Sequence, residues 1–182
     1  MKKLVVALSL ILGFSGVAKA GILVEPYLGY EMAKVTGTNA DGKANGAEFG
    51  VRLAYKTPVM VWVGVDGTFG LTGKYSPDSG SDADSKHNTY YAVVGLDFPI
   101  LLRAWAGYGF SDEMKLESPY NSKATGKNFK LGVGFTGLPF VSLNAEYIKG
   151  TADKIEAGGV TNNSPDLKTE SFVISVSLPL VF

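Results

Sequence analysis

The 182-residue chain contains no cysteine and a single histidine. Past residue 20 it also has no apolar run near the roughly 20 residues that a membrane helix needs. Each absence removes a class of protein. Without cysteine there are no disulfides and no thiolate metal sites, and a lipoprotein anchor, which requires a cysteine after cleavage, has nothing to attach to. Charge of neither sign is in excess, with 17 basic and 17 acidic residues, so nothing favours nucleic acid as a partner. The longest later apolar stretch, around Val59 to Val65, is broken by Asp66. A mature chain of this kind that crosses a membrane must do so as strands.

The N-terminus has a different character. Lys2 and Lys3 precede an apolar stretch from Leu4 to Val17 that closes on Ala18-Lys19-Ala20, the form of a secretory signal peptide. Residues 1–20 are therefore expected to be removed, leaving one domain over 21–182 with 14 basic against 17 acidic residues. At the other end, Phe172, Ile174, Val176, Leu178, Leu180 and Phe182 alternate onto one side of a strand.

Pro58, Pro99, Pro139 and Pro179 recur at intervals of 41, 40 and 40 residues, each in an apolar setting, and so mark an internal repeat. Proline lacks the amide that a sheet ladder uses, so the first three suit tight turns and Pro179 suits the free end of the last strand. Between them lie polar stretches, Thr36 to Gly46, Gly73 to Asn88, Ser111 to Lys127 and Gly150 to Lys168, read as four long loops. Eight strands are predicted, near 22–34, 47–56, 59–71, 89–98, 101–110, 127–136, 140–149 and 170–181. One face of each is apolar. Val24, Leu28, Tyr30 and Met32 oppose Glu25 and Glu31, and Phe49, Val51, Leu53 and Tyr55 oppose Arg52 and Lys56.

A soluble lipocalin-like barrel would turn the apolar face inward. Here the apolar face carries aromatics at both strand ends, Tyr55, Phe98, Phe135 and Phe182 near the proline turns and Tyr30, Phe69, Tyr90, Phe110, Phe129, Tyr147 and Phe172 near the polar stretches. Two aromatic girdles favour lipid outside. The expected fold is all-β, an eight-stranded antiparallel up-and-down transmembrane β-barrel with short periplasmic turns and long extracellular loops.

In these features the chain resembles the small eight-stranded outer-membrane barrels of the OmpA, OmpX and OmpW type. The resemblance implies a place in the outer membrane of a Gram-negative bacterium after export. It also implies that Val176, Leu178, Leu180 and Phe182 act as the signal read by the outer-membrane insertion machinery. The resemblance is to the barrel alone, not to the cell-wall-binding domain that follows the OmpA barrel, so anchoring to the cell wall is not expected.

The inward face is expected to carry Glu25, Glu31, Asp66, Asp97 and Glu146 against Arg52, Lys56, Arg103 and Lys130, in two layers. The lower layer takes Glu25, Lys56, Asp97 and Arg103, and the upper takes the rest. An eight-stranded barrel is barely wide enough for its own side chains, so these groups with Trp62 and Trp105 should fill the lumen as a satisfied network rather than form a proton or ion path. His87 lies in a polar stretch with Ser76, Ser79, Ser81, Ser85, Asp82 and Asp84, where a Ser-His-Asp grouping can be drawn. No catalytic motif surrounds it, and the expectation is a solvated loop without catalytic, cofactor or metal residues. The spacing of Asp78, Asp82 and Asp84 lacks the glycine and terminal glutamate of a calcium loop.

Ala92, Ala104 and Ala106 occupy outward positions where larger aliphatics would ordinarily meet lipid, with Gly67 and Ala145 adding to the pattern elsewhere. Close packing through small residues is a route to association inside a membrane, so this face is the candidate for a homo-oligomer or for lipid contact. In that respect the chain is similar to the ring-forming, lipid-enclosing PopA-like barrels of predatory bacteria. The expected function is non-enzymatic, in membrane organisation, lipid contact or surface interaction. An OmpW-like conduit for small apolar molecules and a lipid-modifying enzyme using His87 are the alternatives.

Overall fold

The computed structural model describes residues 20–37, 41–163 and 165–182, so nearly all of the expected signal peptide lies outside the described residues. The strands are β1 (Gly21–Gly37), β2 (Gly42–Lys56), β3 (Val61–Pro77), β4 (Ala83–Phe98) and β5 (Leu102–Leu116). They continue as β6 (Ser122–Phe135), β7 (Ser142–Ala157), β8 (Val160–Asn162), β9 (Leu167–Ser177) and β10 (Leu180–Val181). Each strand from β1 to β7 pairs antiparallel with the next, β7 pairs with β9, and β9 returns to β1. The ring is closed. The three-residue β8 folds back on the end of β7, and β10 extends β9 past Pro179 along β1. Eight long staves thus form an up-and-down barrel, which removes every exposed sheet edge.

The repeated prolines sit where expected. Pro58, Pro99 and Pro139 lie in the three tight turns, and within them Met60, Leu101 and Phe140 take left-handed backbone at φ 65°, 62° and 67°. Phe182 stays in the ladder to the last residue, its amide donating to Ile22 O and its carbonyl accepting from Ile22 N, both at 3.0 Å.

The long loops are a correction. The stretches Gly73–Asn88, Ser111–Lys127 and Gly150–Lys168 are mostly strand: β3 runs to Pro77, β4 starts at Ala83, β5 reaches Leu116, β6 starts at Ser122 and β7 reaches Ala157. In the first stretch, Thr36–Gly46, β2 begins at Gly42. Two physical causes hid this. Beyond the apolar band both faces of a strand are polar, so the hydrophobic alternation fades while the backbone ladder continues. Register shifts at Ala47/Glu48, Phe69/Gly73, Tyr90/Tyr91, Gly109/Asp112 and Thr125/Gly126 also break the two-residue period near the top of that band.

The outer surface is apolar in a continuous belt, with Leu53, Val63, Val94, Leu131 and Ile174 between 46% and 56% exposed. Such a surface belongs in hydrocarbon, not in water. On β1 none of the outward residues from Ile22 to Met32 is charged, and Lys34 follows. That stretch is about 33 Å of strand, or about 24 Å of height at a 45° tilt, matching the apolar band of a barrel that spans a bilayer. The inside holds two apolar clusters. Leu23, Ala54, Trp62, Tyr91, Val93 and Trp105 pack low in the barrel, and Val35, Ala44 and Tyr75 pack near the opposite mouth with Met114, Leu116, Tyr120 and Leu167.

Candidate functional site

Inward positions from seven strands meet in a network centred on Arg52. Its guanidinium donates to Glu25 at 3.0 Å, Asp66 at 3.1 Å and Glu146 at 3.1 Å. Lys130 binds Asp66 at 2.7 Å and Glu146 at 3.3 Å, while Arg103 binds Glu25 at 2.8 Å and Asp97 at 3.4 Å. Lys56 pairs with Asp97. The two expected layers are therefore one network, joined through Arg52 and Glu25. Glu31 is not part of it, so four acids face four bases and the network is neutral. All but Lys56 and Asp97 are buried.

Neutral donors complete the network. Tyr27 Oη donates to Asp66 at 2.8 Å, Ser177 Oγ to Glu25 at 2.6 Å, Trp105 Nε1 to Glu146 at 2.7 Å and Trp62 Nε1 to Asp97 at 3.2 Å. The Arg52 guanidinium also stacks 4.5 Å from the Trp105 ring. Each indole lies over its cross-strand neighbour, which is a glycine. A Cβ on Gly95 would stand 2.2 Å from Trp62, and one on Gly132 would stand 2.0 Å from Trp105. The lumen is closed by this plug. Removing one partner of a buried pair typically costs about 3–5 kcal/mol, so the plug is held together as a unit.

Above the plug, Glu31 finds a different partner. His87 lies in β4 and faces inward, not in a solvated loop: its Nδ1 is 3.2 Å from Glu31 and its Nε2 is 2.6 Å from Asp112. Thr89 Oγ1 donates to the same Asp112 oxygen at 2.7 Å. The drawn Ser-His-Asp grouping is not assembled, since Asp82 is bound to Lys74 at 2.9 Å and Asp84 points outward. His87 and Asp112 alternate with outward Lys86, Asn88 and Glu113, which places them beyond the lipid band. Burial would lower the imidazole's proton affinity, but the Glu31 carboxylate and the bond to Asp112 outweigh it and hold His87 well above its ordinary range.

Sequence reasoning missed Asp112 and Glu48. Glu48 shares the inward parity of Gly50 and Arg52 on β2 and was legible there. Asp112 follows the irregularity after Gly109, where counting by twos fails. Among the described residues no group of acids and histidine converges as a metal site, Asp78, Asp82 and Asp84 included.

On the outside, each of the eight long strands carries an exposed lysine just past the apolar band: Lys34, Lys43, Lys74, Lys86, Lys115, Lys127, Lys149 and Lys168. Several are paired with neighbouring acids, Lys86 with Glu117 at 2.8 Å and Lys149 with Glu170 at 2.9 Å among them. Lys34 and Lys43 stand directly opposite each other on β1 and β2 without an ion pair among the described residues. With Lys149 and Glu170 they form one cross-strand row, set above the row of Tyr147, Phe172 and Met32.

Ala92, Ala104 and Ala106 lie together on the outer face of β4 and β5, where Val94 pairs with Ala106 and Leu96 with Ala104. Val176, Leu178, Leu180 and Phe182 all point outward into the apolar belt.

Residues 5–178 match the family model described as outer membrane protein beta-barrel domain. No curated protein matches the chain. Among solved structures, Ail, the attachment invasion locus protein of Yersinia pestis, is 17% identical at a TM-score of 0.56, covering 89% of this chain and 100% of its own. Neisserial surface protein A is 16% identical at a TM-score of 0.55, covering 85% of this chain and 96% of its own. At these identities the likeness is one of fold.

Proposed function

Because this chain belongs to the outer membrane protein β-barrel domain family, and so resides in the outer membrane of a Gram-negative bacterium, we propose that it works from its outer surface, holding phosphorylated lipid headgroups against a sealed barrel. The observation that carries this reading is the row of Lys149, Glu170, Lys34 and Lys43 directly above the apolar row of Tyr147, Phe172 and Met32. That height is where headgroups stand next to a membrane protein. Like charges directly opposite in a sheet repel, so the Lys34 and Lys43 pair is accommodated best with an anion between them. Each lysine near a charged membrane surface contributes about 1 kcal/mol. The neutral plug supports a role that does not depend on passage through the lumen, and it opposes a conduit for small apolar molecules. Both ring nitrogens of His87 are engaged by carboxylates, Glu31 and Asp112, which opposes its use as a general base on a lipid or on the Thr89 hydroxyl beside it.

The test uses the folded protein in phosphatidylcholine vesicles doped with a bisphosphorylated glycolipid, extracted in mild detergent and weighed by native mass spectrometry. The wild type is expected to retain the glycolipid, and the Lys34→Gln, Lys43→Gln double variant about thirtyfold less. Equal retention by the two proteins sinks the reading.

Self-association is a second reading, favoured by the clustering of Ala92, Ala104 and Ala106 on adjoining strands. Small side chains there let another apolar surface approach the backbone closely.

A further inference from the structure

The apolar belt does not stop at the periplasmic turns. No charged side chain occurs in 57–61, 98–102, 136–143 or 178–182, whereas every long strand carries a lysine towards its opposite end. The nearest charges, Lys56 and Asp97, point inward and pair with each other. Turns that stand in water are ordinarily built from polar residues and glycine. Here Val59, Ile100, Leu101 and Phe140 are between 54% and 87% exposed.

The backbone makes this composition more pointed. Met60, Leu101 and Phe140 each hold a left-handed conformation, at φ 65°, 62° and 67°. Glycine or asparagine adopts it at lower cost than a bulky side chain does. The main-chain bonds there do not call for the side chain: Met60 O accepts from Asp97 N at 2.9 Å and Leu101 O from Thr136 N at 2.7 Å, as the carbonyl of any residue could. A large apolar residue at the left-handed position of all three turns therefore points to a use for the side chain itself.

We propose that the periplasmic turns are sunk in the membrane, with Val59, Ile100, Leu101 and Phe140 against the acyl chains of the periplasmic-leaflet phospholipid. Continuity identifies this occupant: the turns join the lipid-facing belt at Tyr55, Phe98 and Phe135 with no charged ring between. Height agrees. Ile22, the lower end of the belt on β1, stands opposite Tyr55, and the turn beyond Tyr55 adds about 6 Å at the same tilt. The apolar span becomes about 30 Å, the thickness of the hydrocarbon core of a typical bilayer. Such a barrel is anchored asymmetrically, by lysines at headgroup level on one side and by immersed turns on the other.

The chain has no cysteine, so a single one can carry a label. Val59→Cys and Ile100→Cys are labelled with a nitroxide in phosphatidylcholine vesicles, beside Val133→Cys in the belt and Thr161→Cys on the exposed β8. Relaxation by oxygen, which concentrates in hydrocarbon, is compared with relaxation by a water-soluble nickel chelate present on both sides of the membrane. Positions 59 and 100 are expected to behave as 133 does. Behaviour like that of 161 would overturn the proposal, and so would protection from both reagents, the mark of a protein contact such as a second barrel. A second readout turns on sign. Leu101→Asn with Phe140→Asn eases the left-handed backbone, so turns in water would keep or gain stability. Turns in lipid lose it, and the folding constant in vesicles at a given urea concentration is expected to fall about tenfold or more. Unchanged or higher stability would overturn the proposal. The label comparison uses mild substitutions, so it decides the matter even if the asparagine variant does not fold.

Discussion

At the scale of the residue, this barrel's interior is a matter of which charged group finds which partner. Arg52 serves three carboxylates and Lys130 two, so the four bases and four acids balance within the lumen. His87 shows how sensitive such assignments are. In the sequence it stands among serines and aspartates, yet its partners, Glu31 and Asp112, come from 56 and 25 residues away. Because its proton affinity is raised in the folded barrel, it contributes stability that is fully present below about pH 6.5, the ordinary histidine value. That contribution is lost as pH rises through the raised folded value. The advantage of wild type over His87→Gln in urea unfolding is therefore expected to be larger at pH 6 than at pH 9. A difference that stays flat over this range would mean that the imidazole is not held as a cation.

At the scale of the element, the strands are longer than their apolar patterning. Alternation reports the length of strand in contact with lipid, not the length of strand in the ladder. Lys74, Lys86, Lys115 and Lys127 all lie in polar stretches that read as loops and all sit in paired strands. Brief trypsin treatment of the folded protein in vesicles is expected to spare these four lysines, since a protease must pull the backbone out of the sheet to cut it. Urea-unfolded protein should be cut at all four. Rapid cleavage of the folded form at Lys86 would restore the loop reading there.

At the scale of the whole molecule, closure and polarity decide what the barrel can do. The plug and the narrow lumen turn attention to the outer wall, where a lysine follows the apolar band on every long strand and three alanines make a shallow strip. If that strip is a contact between barrels, Ala104→Trp together with Ala106→Trp should shift the native mass towards monomer while the barrel remains folded, because bulk at a close contact separates the partners. Assembly identical to wild type would place any contact elsewhere.

The sequence by itself determined the barrel. The forty-residue proline repeat, the alternation of apolar and polar faces, the two aromatic girdles and the terminal Phe182 specify eight staves and their inward and outward sides, because a strand's side chains alternate whatever its neighbours are. It also identified most of the buried charges, since parity alone assigns Glu25, Arg52, Asp66, Lys130 and Glu146 to the lumen. Only the tertiary structure decided which of them meet. Pairing across a closed ring joins residues as distant as Arg52 and Glu146, 94 positions apart, and the irregularity after Gly109 sets the phase that brings Asp112 to His87. Those contacts depend on the ring's closure and on bulge positions, neither of which a two-residue period encodes.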